Sequence, residues 1–593
     1  MNPFIKTLSN HLKKNDYFFL YFYILLIITS IIIFYKIQVQ LTIGPMWDAF
    51  DFLANAKYFA GQGFGHIDPA RPPFLSFLTS ILFRLGFTTE ISIFIADGLL
   101  FIFGVMGLFL FLNLRFKPIL GFIGSLFFCS FPVILLWAGA GYTDVASTSL
   151  SIWALYFTVL AVKKNSKFYY LTFPMFTLAF LTRFPSAIII FPMAIYILIN
   201  NSLRENIKEI TLGILISFIL MIPEFIFLLK IYDNPILPIL GVYSATESQG
   251  IGTRFAYNLD FFYYLKNFIY SLINMDFLNN SSLIVQIIFF VLTIFLCYII
   301  ILGFYIIFRK FFISHKENLT LKKIKNIKIF VIFLFIFFFV ISFNRVSYLI
   351  SITLFSIIFY LIFNLVRNEN LKFLDLDILF FIWLSSYLIF NSIFSVKVFR
   401  YYIPMTPAIS YFIIIGVKSF LDENKLKIKK IKLNKVLSGL IIIFLLFSTF
   451  SYIYQLEYDP LANGKSFKLQ NNGTKLTFFI DVKPYVSELY FETYNTHKSY
   501  KKLSNWLKGY DPDYKEKIIY ADYFWPHLRW YLKTDIGSIS PNKNSNKDIE
   551  NLLNQFNADY FISIRTNIEL KEYIVIKEFN TNFGTIRVFK KIY

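Results

Sequence analysis

Between residues 47 and 74 the chain reads Trp47-Asp48-Ala49-Phe50-Asp51 and then His66-Ile67-Asp68-Pro69-Ala70-Arg71-Pro72-Pro73-Phe74. Three carboxylates, a histidine and an arginine thus follow directly on an apolar run, beside a bilayer, where ionisable groups are costly unless they face water or a site. Asp48 and Asp51 are one helical turn apart and share a face of a short helix that ends at Gly61-Gln62-Gly63. A carboxylate there suits a general base or an electrostatic anchor. Its competing reading is a helix N-cap, a position Asp favours. Arg71 stands among prolines that fix an extended approach to the next helix. A guanidinium at headgroup depth matches a phosphate, against the plainer reading of snorkelling toward ordinary lipid. His66 has no second histidine nearby, and a lone loop histidine is more often a surface group than a ligand.

Four further positions belong to the same question. Asp144 follows Gly139-Ala140-Gly141-Tyr142-Thr143 and precedes an apolar run. It reads either as a helix cap or as a second carboxylate for a metal or an acceptor. Arg400, in Phe399-Arg400-Tyr401-Tyr402-Ile403-Pro404-Met405-Thr406-Pro407, and Arg254 both face the choice set out for Arg71. Arg183, two residues before Pro185, reads as part of an ordinary loop. Cys129 and Cys297 sit inside apolar runs and are packing residues rather than a disulfide.

The elements that must position these groups are transmembrane helices. Of 593 residues 57% are hydrophobic and 16% charged, with mean hydropathy +0.60, too apolar for a set of soluble domains. The net charge of +21 does not mark a nucleic-acid binder, because Lys and Arg fall in short clusters between apolar runs. Runs near 17–37, 91–113, 118–138, 145–162, 168–182, 185–200, 209–230, 283–308, 329–344, 347–366, 378–395, 402–417 and 436–453 give about thirteen crossings. Residues 72–87 are apolar but only about 15 residues long and contain Arg84, which suits a helix lying at the interface. Basic clusters at Arg115/Lys117, Lys163/Lys164/Lys167, Arg204/Lys208, 309–328 and 418–435 orient the amino terminus and these loops to the cytoplasm. The 48–87 segment, the turns at 139–144 and 397–400 and the loop 233–282 then lie outside. Residues 1–453 are expected to form the membrane catalytic domain, with external juxtamembrane helices at about 48–87. Residues 454–593 are expected to form a small extracytoplasmic α/β domain. In the latter, strands are expected at 517–520 and 559–564, helices at 524–533 and 548–556, and a hairpin around Asn580-Thr581-Asn582.

Taken in order, five features resemble the membrane glycosyltransferases of the GT-C superfamily. They are an acid after the first span, a basic-Pro-Pro lead into a juxtamembrane helix, an Asp after the third span, the turn Thr182-Arg183-Phe184-Pro185, and the late Arg400-Tyr401-x-x-Pro404-x-x-Pro407. The likeness is nearest to the dolichyl-phosphate-mannose protein mannosyltransferase and aminoarabinose transferase group and covers about 17–417. It implies a polyprenyl-phosphate sugar donor, with Asp48 as catalytic carboxylate, Asp144 as second acidic residue and Arg71 on the donor phosphate. Asp51, His66 and Asp68 fall to substrate binding, and Arg254 and Arg400 join Arg71. The expected reaction is inverting transfer of a hexosyl group at the external face of the plasma membrane to a glycan, protein or lipid acceptor. No cofactor is certain. Where relatives often carry an acid directly before the basic-Pro-Pro, this chain has Ala70, so a divalent metal stays open. The alternatives are a lipid-linked oligosaccharide flippase or polymerase and a secondary transporter, although transporters keep their charges near the midplane and show repeated halves.

Overall fold

The structure, a computed structural model, describes residues 17–593 except 46, 64–66, 233, 235, 237–259, 269–282, 318–321, 344, 367–372, 395, 424–426, 429–430, 458–466, 472–473, 479–487, 523, 540–544, 566–567, 582–583 and 593. The protein is an α-helical multi-pass membrane protein with a small C-terminal α/β domain. Among the described residues seven helices are long and apolar enough to cross a bilayer: Phe18–Leu41, Ile91–Leu112, Thr143–Lys163, Ile207–Tyr232, Tyr348–Leu365, Leu374–Ile393 and Phe399–Leu421. Shorter apolar helices include Pro118–Ser130, Phe184–Ile199, Ile294–Arg309, Lys328–Ser342 and Val436–Leu446. The interfacial segment forms Phe74–Arg84, 11 residues. At 1.5 Å per residue that is about 17 Å, little more than half a hydrocarbon core.

One departure from the expected spans has a local cause. Residues 118–138 are not one rod but Pro118–Ser130 and Pro132–Trp137, joined through an extended Phe131. A residue before proline is pushed out of the α region. The expected break between 182 and 185 is present: Tyr169–Thr182 ends on an extended Arg183, after which the 3₁₀ turn Phe184–Ile189 leads into Ile190–Ile199.

The chain forms two compact units, each discontinuous in sequence. The first holds residues 1–36, 98–138 and 143–485, and the second 37–97, 139–142 and 486–593. In the first, Leu283–Glu317 packs against Thr406–Glu423 through two glycines: a Cβ on Gly303 would meet the Phe412 carbonyl, and one on Gly416 the Ile299 carbonyl. Small residues that let backbones approach closely are how helices associate without a hydrophobic drive. At one end of this unit Arg115 pairs with the fully buried Asp377, and both bond Tyr411. Lys163 pairs with Asp375 at 2.9 Å, which also accepts from Tyr196 at 2.9 Å.

In the second unit the helices Trp47–Phe59 and Phe74–Arg84 lie together with the C-terminal domain. That domain has a five-stranded sheet in the order Gly537–Ser538, Ile519–Ala521, Tyr560–Ser563, Gly584–Lys591, Tyr573–Thr581. Ile519–Ala521 pairs parallel with both neighbours, and the last two pairings are antiparallel, in register Phe561↔Phe589 and Phe579↔Ile586. Every residue of Tyr560–Ser563 is buried, because both faces are covered. Ile562 and Val588 pack with Leu503, Leu507 and Leu528 from the helices Glu488–Tyr510 and Trp525–Leu532, while Phe561 and Phe589 pack with Ile549 and Leu553 of Asn546–Gln555. The alternation follows from the two-residue period of a strand.

Candidate functional site

The helix Trp47–Phe59 presents Asp48 and Asp51 one turn apart, and the loop after it folds back so that Arg71 lies against both. Arg71 Nη2 donates to Asp48 Oδ1 at 3.0 Å and to Asp51 Oδ2 at 2.9 Å, and its Nε to Asp68 Oδ2 at 3.2 Å. The guanidinium also sits over the Phe52 ring, 5.8 Å from its centroid. Arg71 is therefore the centre of a three-carboxylate cluster, whose four members sequence reasoning names as site residues in separate roles.

The loop is held by its own side chains. Asn55 brackets Asp68, donating to its carbonyl and accepting from its N–H, each at 2.8 Å. The Asp68 carboxylate accepts from the Ala70 N–H at 3.1 Å, an Asx turn. Ser76 Oγ donates to the Phe52 carbonyl at 2.9 Å, and Arg84 Nη2 to that of Phe59 at 2.6 Å, so both ends of Phe74–Arg84 are tied to the preceding helix.

Within the cluster the carboxylates differ. The Asp48 side chain is 21% exposed and that of Asp51 2%. Asp51 Oδ1 has no hydrogen-bond partner among the described residues. Burial pushes its carboxyl up to about 7, and Arg71 only partly offsets this, while Asp68 and Asp48 add to the rise. For Arg71, burial pulls the other way, but the charges of Asp48, Asp51 and Asp68 outweigh it and hold its pKa above the ordinary value.

The first unit gathers a second, cationic group. Asp144, fully buried at the start of Thr143–Lys163, has Oδ2 2.8 Å from Arg183 Nη1, an ion pair outside hydrogen-bond alignment. The Arg183 guanidinium lies 5.6 Å from the Tyr401 ring centroid, and that of Arg400 lies 5.8 Å from the same ring and 5.7 Å from Trp137. Two arginines thus share one tyrosine. Beside them Lys397 Nζ donates to the carbonyls of Asn391 at 2.6 Å, Ser392 at 2.7 Å and Phe394, closing the C-terminus of Leu374–Ile393. Burial lowers the Lys397 pKa to about 8, opposed by Asp260. Tyr402 donates to the carbonyl of Tyr264, and Tyr264 OH bonds Val398 at 3.3 Å, anchoring residues 260–268 to this turn.

Arg183 is the residue that sequence reasoning passed over as part of an ordinary loop. Its signal lay in the helix end just before Phe184-Pro185, which leaves the arginine extended and free to reach sideways. His66 and Arg254 lie outside the described residues. Among the described residues no three acidic, histidine or cysteine side chains converge as a metal would require. At the 48/51/68 cluster all three carboxylates face the guanidinium of Arg71.

The sequence model of the dolichyl-phosphate-mannose-protein mannosyltransferase family matches residues 70–227. No curated protein matches the sequence. The fold is similar to that of ArnT from Cupriavidus metallidurans, solved bound to undecaprenyl phosphate, at 12% identity over 97% of this chain and 98% of that one, with TM-score 0.55. The apo form of the same protein aligns at 13% identity over 95% and 97%, with TM-score 0.55. An oligosaccharyltransferase from Archaeoglobus fulgidus, tethered with an acceptor peptide, aligns at 12% identity over 96% of this chain and 74% of that one, with TM-score 0.48.

Proposed function

We propose that this GT-C-type membrane glycosyltransferase moves a hexosyl group from a polyprenyl-phosphate donor to an acceptor at the extracytoplasmic face of the plasma membrane, by inverting single displacement. The observation that carries the reading is the cluster in which Arg71 holds Asp48, Asp51 and Asp68 at the juxtamembrane helix pair. Residues 1–453 act as the catalytic membrane domain in this reading, and 454–593 as an external domain.

Asp48 is the base. It is the more exposed of the two helix carboxylates, and its bond from Arg71 orients it. As the acceptor oxygen attacks C1, its proton passes to Asp48, the C1–O bond to phosphate breaks, and polyprenyl phosphate departs with the bonding pair. Phosphate is already a good leaving group and needs charge neutralisation more than protonation. Arg71 offers Nη1 for this, since its other donors face the carboxylates, and Arg400 and Arg254 serve the same role, with Arg183 added by its place beside Arg400. Asp144 keeps Arg183 in position, and His66, Asp51 and Asp68 contribute to substrate binding.

The test is incubation of the purified protein with radiolabelled polyprenyl-phosphate sugars, with and without chelator. Release of free polyprenyl phosphate supports transfer, and vectorial movement without bond cleavage would support a flippase or transporter instead. Asp48→Asn is expected to lower transfer by at least about a thousandfold while leaving the melting temperature near that of the parent. Full activity in that variant would remove Asp48 from the role of base.

A further inference from the structure

At the juxtamembrane helices three carboxyls stand against one guanidinium, and Asp51 is the driest of the three. The C-terminal domain covers its helix. Phe524 and Trp525 meet Trp47 with ring centroids 5.2 and 6.4 Å apart, and His527 lies on Phe50 at 4.1 Å. Trp530 stacks on Phe83 at 6.2 Å and donates Nε1 to Glu90 at 2.9 Å, so the second juxtamembrane helix is covered as well. Asp51, next to Phe50, has its Oδ2 on Arg71 Nη2 and its Oδ1 buried with no partner among the described residues. The same nitrogen of Arg71 holds Asp48, and Nε holds Asp68.

A phosphate approaching this guanidinium meets all three carboxyls at once, and ionised together they repel it. A proton on one of them relieves the repulsion. The carboxyl on which negative charge is most costly is the one with a buried, unpartnered oxygen. We propose that Asp51 is the proton site that admits an anionic donor: a phosphodiester binds at Arg71 together with one proton, which water supplies, Asp51 holds while the phosphate is present, and water recovers when it leaves. The inference rests on the polyprenyl-phosphate reading and deepens it, since the affinity of the site for its donor then depends on pH. Burial, joined by Asp68 and Asp48 and opposed by Arg71, pushes the Asp51 carboxyl up to about 7, so both of its states are populated near neutrality. From the covering helix Trp525–Leu532 come His527, Arg529 and Tyr531. Arg529 lies on Trp525 at 4.2 Å and pairs with Asp535, and Tyr531 bonds His497 at 2.7 Å. Both histidines are held neutral by burial. On the remaining sides Lys57 donates to Gln62 at 3.1 Å, Arg84 to the Phe59 carbonyl, and Asp97 accepts from the N–H of Gly141, which lies against Ala49.

The experiment titrates the full-length protein in lipid nanodiscs with undecaprenyl methyl phosphate, a phosphodiester whose single charge is constant from pH 6 to 9. Calorimetry in buffers of different ionisation enthalpy counts the protons taken up. At pH 8 the wild type should take up roughly half a proton to one proton per ligand bound, and Kd should rise roughly ten- to fiftyfold from pH 7 to 9. Asp51→Asn, a neutral isostere, should take up none and keep its Kd within about twofold over that range. Asp51→Ser, a smaller neutral side chain, is the second variant and should behave alike. Wild-type binding with no uptake at pH 8, or uptake that survives in the neutral variants, overturns the proposal and leaves the donor reading standing. A wild type that binds the phosphodiester at no pH defeats both.

Discussion

Asp48 and Asp51 share a helix face and an arginine, yet depth separates their chemistry. A carboxyl raised from its ordinary 3.8 to about 7 holds its proton more tightly in the folded than in the unfolded chain. The stability it confers is therefore full below about pH 4 and is lost as pH rises to about 7. The shift of about three units sets an upper figure near 4 kcal/mol. The melting temperature of the wild type should accordingly fall between pH 5 and 7.5, and Asp51→Asn should flatten that fall; an unchanged slope would show that Asp51 is not its source. The pairing of Asp48 with Asp51 was legible from helical spacing, whereas the meeting of both with Arg71 and Asp68 depends on how the loop folds back, which spacing does not encode. The Asp144–Arg183 pair was not legible either, because 39 positions separate the partners and an arginine before Phe-Pro looks like any loop residue.

Helix lengths were read well where apolar runs are uninterrupted, and less well where proline acts locally, as at Phe131-Pro132. In the C-terminal domain, alternation and turn residues located the strands Ile519–Ala521 and Tyr560–Ser563 and the hairpin Tyr573–Thr581/Gly584–Lys591. The helix Glu488–Tyr510 was missed: it is rich in Lys, Tyr and Asn, and its apolar face is tyrosine and leucine spread over many turns. Gly303 and Gly416 were likewise silent in sequence, since a glycine in an apolar run announces a contact only once its partner helix is known. Gly303→Val and Gly416→Val should each cost roughly 1–3 kcal/mol, as a side chain forces each helix off a backbone carbonyl. Gly439→Ala, with nothing within 4 Å of its added Cβ, is the control. Melting temperatures of the three variants that coincide would show that the close approach contributes nothing.

Over the whole chain, the second unit joins residues that sequence keeps far apart; Trp530 and Glu90 are 440 positions distant. Composition separates the apolar part from the polar tail, but it carries no signal that a tail helix will cover Trp47, Phe50 and Phe83. Removing residues 486–593 should uncover those rings and loosen Trp47–Phe59, so that trypsin cuts after Lys57 in the truncated protein and spares that bond in the intact one. Equal cleavage in both would show that the tail leaves the helix as stable as it finds it.

Only Gly44 and Pro45 of the described residues stand between the apolar helix Phe18–Ile43 and the helix that carries Asp48. Gly44 has φ +89, and the ring of His497 fills the space where a Cβ would stand. The connection is thus a short leash. Five residues from Ile43 to Asp48 span at most about 17 Å even when extended, and a helical start shortens that further. In the proposed reaction, the acceptor oxygen that gives its proton to Asp48 must come close to that reach of the end of the apolar helix. A donor of the proposed kind, its sugar hung by a phosphate from a chain embedded in the bilayer, can reach that point by lateral diffusion.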